Sequence, residues 1–120
     1  MRSELTHAED FLPLTTVVFE ILLSLADGDR HGYAVMQSVD ERSDGRIKLH
    51  AGTLYRALSR LVDSGLIEEL EARPESEHDD ARRRYYRLTD LGRRTASLEA
   101  VRLAGQVAVA RRIHLIPEMS

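Results

Sequence analysis

The spacing of apolar residues changes twice along this chain, and that order limits the folds it can adopt. Apolar side chains recur every three or four residues in three stretches, about residues 14–27, 31–43 and 51–64, which predicts three amphipathic helices. From residue 66 to 88, apolar and charged residues alternate on either side of a polar loop, as in a β-hairpin. Helical spacing returns over residues 90–113 and predicts one long final helix.

Turn and capping residues mark the ends of these helices. Gly28, Gly45 and Gly65 follow the first, second and third helix. Asp29 is the predicted cap of the second helix, and Thr89 is the predicted cap of the last. The helices therefore have ordinary sequence signals for where they begin and end.

Two shorter segments also carry a prediction. Pro13 lies just before or at the first turn of the first helix, where its missing N–H costs nothing. The alternation over residues 46–49 predicts a short strand before the third helix. The whole order is typical of a winged helix-turn-helix, so we expect a mainly α fold with a small β-hairpin.

Composition excludes several classes of protein. The chain has 120 residues, enough for one compact domain, and no cysteine, so disulfide and thiolate chemistry are excluded and a reducing compartment is expected. The first ten residues contain no apolar stretch, so no signal peptide is predicted. The longest apolar stretch, residues 11–26, is interrupted by polar residues, so no membrane span is predicted. No phosphate loop, catalytic triad or metal-ligand spacing is present, so we predict no enzyme, no cofactor and no metal site.

The net charge of −3 argues against a nucleic-acid partner, but its distribution does not. From Gly45 to Val62 the chain has four basic residues and no acidic one. A basic cluster in an otherwise acidic protein is typical of a surface that binds a polyanion. Chance clustering would give the same pattern, and charge alone does not separate the two interpretations.

The third helix has one apolar and one polar face. At about 100° per residue, the apolar side carries Leu54, Leu58, Leu61 and Val62. The opposite side carries Gly52, Thr53, Arg56, Ser59, Arg60 and Asp63, with Tyr55 at its edge. Arginine binds guanine edges or phosphate, and Thr and Ser do so more weakly. A solvated helix with ordinary surface arginines is the alternative, and the basic hairpin (Arg82, Arg83, Arg84, Arg87) favours DNA.

Several motifs together resemble the PadR-like family of bacterial transcriptional regulators. They span about residues 14–95 and are His31-Gly32-Tyr33, Gly52-Thr53-Leu54-Tyr55-Arg56, Leu61 with Gly65-Leu66-Ile67, and Tyr85-Tyr86-Arg87-Leu88-Thr89 with Gly92. The resemblance implies a winged helix whose C-terminal helix pairs with a second subunit. It also implies a cytoplasmic homodimer that binds double-stranded DNA at a pseudo-palindromic operator, usually as a repressor released by a small aromatic or drug-like effector.

The resemblance and the charge pattern together define the predicted DNA-binding residues. They are Tyr33, Lys48, His50, Thr53, Tyr55, Arg56, Ser59, Arg60, Arg82, Arg83 and Arg84. The family commonly has Ser-Pro where this chain has His50-Ala51, so the third helix lacks the usual hydroxyl cap. Phosphate should repel the acidic tip of the hairpin, so we expect its stem to contact DNA. The acids of the tip are Glu75, Glu77, Asp79 and Asp80.

The last helix is apolar on more than one side, which predicts a partner beyond its own domain. The predicted dimer interface consists of Leu98, Val101, Ala104, Gly105 and Ala108, whose small members allow close approach. A fourth core helix of a monomer is the alternative. A ligand pocket between subunits would be lined by Phe11, Leu14, Val18, Leu98 and Val101, with core packing as the alternative.

We predict that the chain has two parts with different roles. We expect residues 11–88 to form the winged helix-turn-helix DNA-binding domain and residues 89–114 the long C-terminal dimerisation helix. The acidic net charge favours a different function, a winged-helix protein-interaction module that does not bind DNA. A small-ligand sensor whose contact with DNA is secondary is a further alternative.

Overall fold

The computed structural model describes residues 7–71 and 84–117. A short 3-10 helix, Ala8–Phe11, precedes four α-helices and three short strands. In chain order these are α1 Thr16–Ala26, β1 Arg30–His31, α2 Gly32–Arg42, α3 Ala51–Asp63, β2 Ile67–Leu70, β3 Tyr85–Leu88 and α4 Asp90–Arg112. The predicted mainly α fold with a small hairpin is therefore confirmed, with one additional strand.

Helix α1 begins after a threonine cap. The Thr15 hydroxyl accepts a hydrogen bond from the backbone N–H of Val18 at 3.1 Å, which satisfies one of the free amides of the first turn. The helix therefore starts at Thr16, and Pro13 lies outside it. The residues that α1 buries recur at helical spacing, as the sequence predicts.

Helix α2 is capped by His31, so the predicted cap at Asp29 is wrong. The Nδ1 atom of His31 accepts a hydrogen bond from the backbone N–H of Ala34 at 3.2 Å. The chain is still extended at Arg30–His31, where it pairs with β3. The cap of α2 therefore lies two residues later than Asp29. After α2, Gly45 adopts a φ of +78°, a conformation that favours glycine.

The three strands form one antiparallel sheet in the order β1-β3-β2. Ile67 lies opposite Leu88, and Glu68 lies opposite Arg87. The strand predicted over residues 46–49 is wrong. The backbone amide of Ile47 donates to the Ser43 hydroxyl, which holds this segment against the end of α2 and away from the sheet.

The core lies between α1, α2, α3 and one face of the sheet. Helix α3 contributes three fully or nearly fully buried leucines at helical spacing. The other buried apolar residues are Ile21, Leu22, Leu25, Val35, Val39, Leu66, Ile67, Tyr86, Leu88 and Ala96. The packing of α3 on this core determines which of its faces meets solvent.

Hydrogen bonds join the start of α4 to the turn that follows α3. The Thr89 hydroxyl lies 2.6 Å from the carbonyl oxygen of Gly65 and 3.0 Å from that of Leu66. It also accepts a hydrogen bond from the N–H of Gly92 at 3.0 Å, as the predicted cap should. A Cβ at residue 92 would overlap the carbonyl oxygen of Leu66, so only glycine permits this close approach.

The later part of α4 leaves the core. Glu99 is 2% exposed and forms two hydrogen bonds with Arg102, each 2.8 Å long. These bonds, with the positive charge of Arg102 and the backbone amide of Leu14, hold the pKa of Glu99 below its ordinary value, although burial opposes this. Beyond Glu99 the apolar side chains are largely exposed, including Val101, Val107, Val109, Ile113 and Leu115. Within the described residues, none of the helices could cross a membrane.

The Thr89 cap predicts a measurable loss of stability when its hydroxyl is removed. We expect Thr89→Ala to lower the free energy of unfolding by about 0.5–2 kcal/mol, as for other N-cap threonines. The Thr89→Ser variant keeps the hydroxyl and should be close to wild type. Urea unfolding followed by far-UV circular dichroism measures both, and an alanine variant as stable as the serine variant would show that the cap contributes nothing.

Candidate nucleic-acid interface

The surface of interest is the outer face of α3. Leu54, Leu58 and Leu61 are buried, so the residues opposite them face solvent. The exposed set includes Gly52, Thr53, Tyr55, Arg56, Ser59 and Arg60. The predicted division of this helix into apolar and polar faces is thus observed.

Helix α3 carries two arginines on its exposed face. Neither Arg56 nor Arg60 forms an ion pair within residues 7–71 and 84–117, and both are exposed. The Arg56 guanidinium lies back along the helix, with one nitrogen 3.5 Å from where a Cβ of residue 52 would be. Gly52 therefore leaves the backbone open beside a free positive charge, and this suits contact with a phosphate.

Tyr55 links this face to the start of α2. A Cβ at Gly32 would lie 2.5 Å from the Tyr55 hydroxyl and 2.8 Å from its ring, so the ring rests directly on the glycine. Gly32 is buried by this contact, whereas Tyr55 itself remains 47% exposed. The tyrosine therefore has one edge fixed by packing and another available to a ligand.

The residues on either side of Gly32 complete this corner. The His31 ring stacks on Tyr33 with centroids 6.5 Å apart, and it meets Tyr85 edge-on at 5.5 Å. Tyr33 is 51% exposed, on the same corner as the cap of α2. In the His-Gly-Tyr motif, His31 thus caps α2, Gly32 packs against Tyr55, and Tyr33 is a second exposed tyrosine.

Two further predicted contacts lie before α3. His50 occupies the N-cap position of α3, is exposed, and makes no side-chain capping hydrogen bond, in agreement with the missing hydroxyl cap. Lys48 is exposed, but its ammonium group pairs with Asp40 at 3.0 Å. Arg46, which the predicted site omitted, is exposed and has no ion-pair partner in the part of the chain described. Its place in the basic stretch between Gly45 and Val62 was the available signal.

The stem of the hairpin carries two ion pairs. Arg84 is exposed, but its guanidinium is bound to the carboxylate of Glu69, and this contact raises the pKa of Arg84. Arg87 pairs with Glu68 at 3.1 Å. The sheet thus brings an acid beside each of these two exposed arginines, and neither ion pair was predicted from the sequence. Arg82, Arg83 and the acidic tip of the hairpin lie outside the described residues.

The five residues predicted to line a ligand pocket do not line a common groove. Leu98 lines an open groove of about 450 Å³ between the 3-10 helix and α4, next to Arg93 and Arg94. Leu14 lines another groove of about 340 Å³, beside Glu99. Phe11 and Val18 pack against the core, as the alternative interpretation held, and Val101 is 67% exposed.

The predicted dimer interface lies on the exposed part of α4. Leu98 and Val101 are exposed, as are Ala104, Gly105 and Ala108. Glu99, the buried carboxylate between them, was missed, because its helical position gives no sign that Arg102 and Leu14 cover it. No cluster of three or more metal-ligating side chains occurs in the described part of the chain.

A comparison with protein-family models identifies one family. The model of the transcriptional regulator PadR-like family matches residues 21–98. A transposon-encoded protein of Streptomyces fradiae is 38% identical over 90 residues, which cover 72% of this chain and 24% of that protein. The chain thus spans about a quarter of the length of this relative.

Solved structures share the fold. A PadR family transcription regulator from Clostridium difficile has a TM-score of 0.69 at 24% identity, over 82% of this chain and 98% of that one. Bacillus subtilis PadR in complex with operator DNA has a TM-score of 0.58 at 22% identity, over 69% of this chain and 45% of that one. Because the family model covers well over half of the sequence and these regulators have the same winged helix-turn-helix fold, the chain belongs to the PadR-like family of transcriptional regulators.

Proposed function

We propose that this chain regulates transcription by binding duplex DNA through the exposed face of α3. The observation that carries the proposal is the pair of exposed arginines, Arg56 and Arg60, on the face opposite the buried leucines. Neither has an acidic partner in the part of the chain that the structure describes. A helix of this kind can enter the major groove, where arginine binds guanine edges and backbone phosphates. The operator DNA bound to Bacillus subtilis PadR supports the same partner here.

The other predicted contacts surround that face. Tyr33, Lys48, His50, Thr53, Tyr55 and Ser59 are all exposed on or near it. In this proposal Tyr33, Lys48 and His50 hold the DNA backbone, and the residues of α3 read base edges. Arg82, Arg83 and Arg84 would add contacts from the stem of the hairpin.

The functional unit in this proposal is a homodimer. Residues 89–114 would form the dimerisation helix, and residues 11–88 would form the DNA-binding domain. The support is that the apolar side chains of α4 beyond Glu99 are largely exposed, and that the small residues Ala104 and Gly105 allow two helices to approach closely. Two copies would present two α3 helices to the half-sites of a pseudo-palindromic operator.

Repression in the cytoplasm, relieved by a small aromatic or drug-like effector, completes the proposal. The absence of cysteine suits a reducing compartment. The two grooves lined by Leu98 and by Leu14 are the places where an effector could act, since both adjoin the exposed part of α4.

A protein-interaction module that does not bind DNA is the second candidate. The net charge of −3 favours it, as do the acids that pair with Lys48, Arg84 and Arg87. The two functions differ in their dependence on salt. Affinity for DNA falls steeply with salt because each phosphate contact releases counterions, whereas an interface without phosphate contacts lacks this steep slope.

The contribution of Arg56 can be measured directly. We expect Arg56→Ala to weaken binding to duplexes recovered from a pull-down of chromosomal DNA by about 1–3 kcal/mol, the range for an arginine that reads a base. Fluorescence anisotropy gives the affinity, and Arg111→Ala, at the far end of α4, is the matched control. Equal affinities of Arg56→Ala and wild type would exclude a contact at this residue.

The packing of Tyr55 against Gly32 predicts a second effect on DNA binding. Gly32→Ala should push the Tyr55 ring aside and weaken DNA binding severalfold, because the new Cβ occupies space that the ring fills. In the Tyr55→Ala background the same change should cost little further affinity, since the ring is gone. A loss from Gly32→Ala that is equal in both backgrounds would show that glycine acts on binding by another route.

The dimer predicts a particle of twice 13.6 kDa at micromolar concentration. Light scattering after size exclusion measures the mass, and Val101→Glu should shift it towards the monomer by burying a charge in the interface. Gln37→Glu introduces the same charge on exposed α2 and is the control. A single species near 13.6 kDa for the wild type would refute the dimer.

A further inference from the structure

The hairpin stem carries its own counter-ions. Glu68 lies directly opposite Arg87 in the sheet, and Glu69 on the same strand binds the guanidinium of Arg84. We propose that Glu68 and Glu69 limit the affinity of this protein for DNA, because DNA phosphate must displace them to reach the stem arginines. This inference rests on the proposed DNA binding of the chain.

The pairs are weak enough for phosphate to break. The side chains of Glu68 and Arg87 are each about half exposed, and Arg84 is more exposed than its partner. Exposed ion pairs of this kind add little to stability, because water screens the charges and two long side chains lose freedom. Hydrogen bonds from arginine to phosphate are short, charge-assisted and often doubled, so phosphate competes well for either guanidinium.

Displacement still leaves an obstacle. When an arginine turns to phosphate, the carboxylate that it leaves stays on the strand next to the DNA, and the two negative charges repel each other. The acid therefore weakens binding twice, once by holding the arginine and once by repulsion. Only the first of these effects requires the arginine, and that difference makes the proposal testable.

The contrast with α3 identifies the stem as the limiting part of the surface. Arg56 and Arg60 have no acidic partner in the described residues, so they are ready for phosphate or base contacts. Arg84 and Arg87 contribute positive charge only when their acids are displaced. The substitution Glu69→Gln should therefore make the positive charge of Arg84 available to DNA without any new basic residue.

The test compares four proteins: wild type, Glu69→Gln, Arg84→Gln and the double variant. The probe is a random-sequence duplex of about two helical turns, with affinity measured by fluorescence anisotropy across a range of KCl concentrations. We expect Glu69→Gln to bind about three- to fivefold more tightly at low salt. Its plot of log affinity against log salt should be steeper by about 0.9 if one more phosphate is bound.

The arginine must be necessary for most of that gain. In the Arg84→Gln background, Glu69→Gln should bring a clearly smaller gain and no steeper salt dependence, since only repulsion is relieved. Glu68→Gln and Arg87→Gln repeat the cycle on the other pair, which lies on the opposite face of the sheet. Glu9→Gln removes an exposed acid from the 3-10 helix and should change affinity less than twofold.

Each remaining outcome contradicts part of the proposal. Unchanged or weaker binding by both glutamine variants would overturn it, and so would a gain that persists in full without the arginine. If the wild type binds DNA and these variants do not bind more tightly, this inference alone fails. If the wild type binds no duplex at all, the proposed DNA-binding function fails and the inference falls with it.

Discussion

The packing of α3 against the core is the constraint on which the rest of the molecule depends. Leu54, Leu58 and Leu61 enter the core between α1, α2 and the sheet, and burying such side chains stabilises the fold by roughly 1.5–3 kcal/mol each. Turning the helix would expose these leucines, so the outward face is set by their burial. Arg56 and Arg60 face outward as a consequence of that packing.

The attraction of this protein for a polyanion depends on how its charges are distributed, and not on its net charge. The chain has a net charge of −3, yet among residues 7–71 and 84–117 Arg56 and Arg60 of α3 have no acidic partner. Arg84 and Arg87 of the hairpin stem, in contrast, are paired with glutamates. A polyanion would thus be attracted most strongly to α3, and less strongly to Arg84 and Arg87, whose charges are partly neutralised by glutamates. Binding organised in this way depends on salt and on the few acids beside the interface, as general electrostatics predicts for an acidic protein with a basic patch.

Much of this arrangement could be predicted from sequence, because periodicity reports burial directly. The leucine spacing of α3 defined its buried and exposed faces, and Thr89 followed the ordinary rule for a helix cap. Strand β1 could not be found in this way, since two residues carry no alternation. The cap at His31 followed from that strand, and Asp29 was chosen because aspartate is the commoner cap.

The contacts that modify the site also depend on tertiary structure. The pairing of Arg84 with Glu69 requires the strand register, and the burial of Glu99 requires α4 to pack beside Leu14. The seat of Tyr55 on Gly32 joins residues 23 positions apart, and neither residue type alone indicates the other. Sequence patterns therefore predicted the exposed face of α3. The ion pairs of Arg84 and Arg87 and the packing of Tyr55 against Gly32 were visible only in the structure.

The most direct test is to map where DNA touches the protein. Amide chemical shifts of the isotope-labelled chain, followed by NMR during titration with duplex DNA, report contacts residue by residue. We predict that the largest shifts cluster in α3 from Ala51 to Arg60 and around Tyr33, and that they shrink as salt is added. Shifts confined to the exposed end of α4, or none at all, would contradict DNA binding through α3.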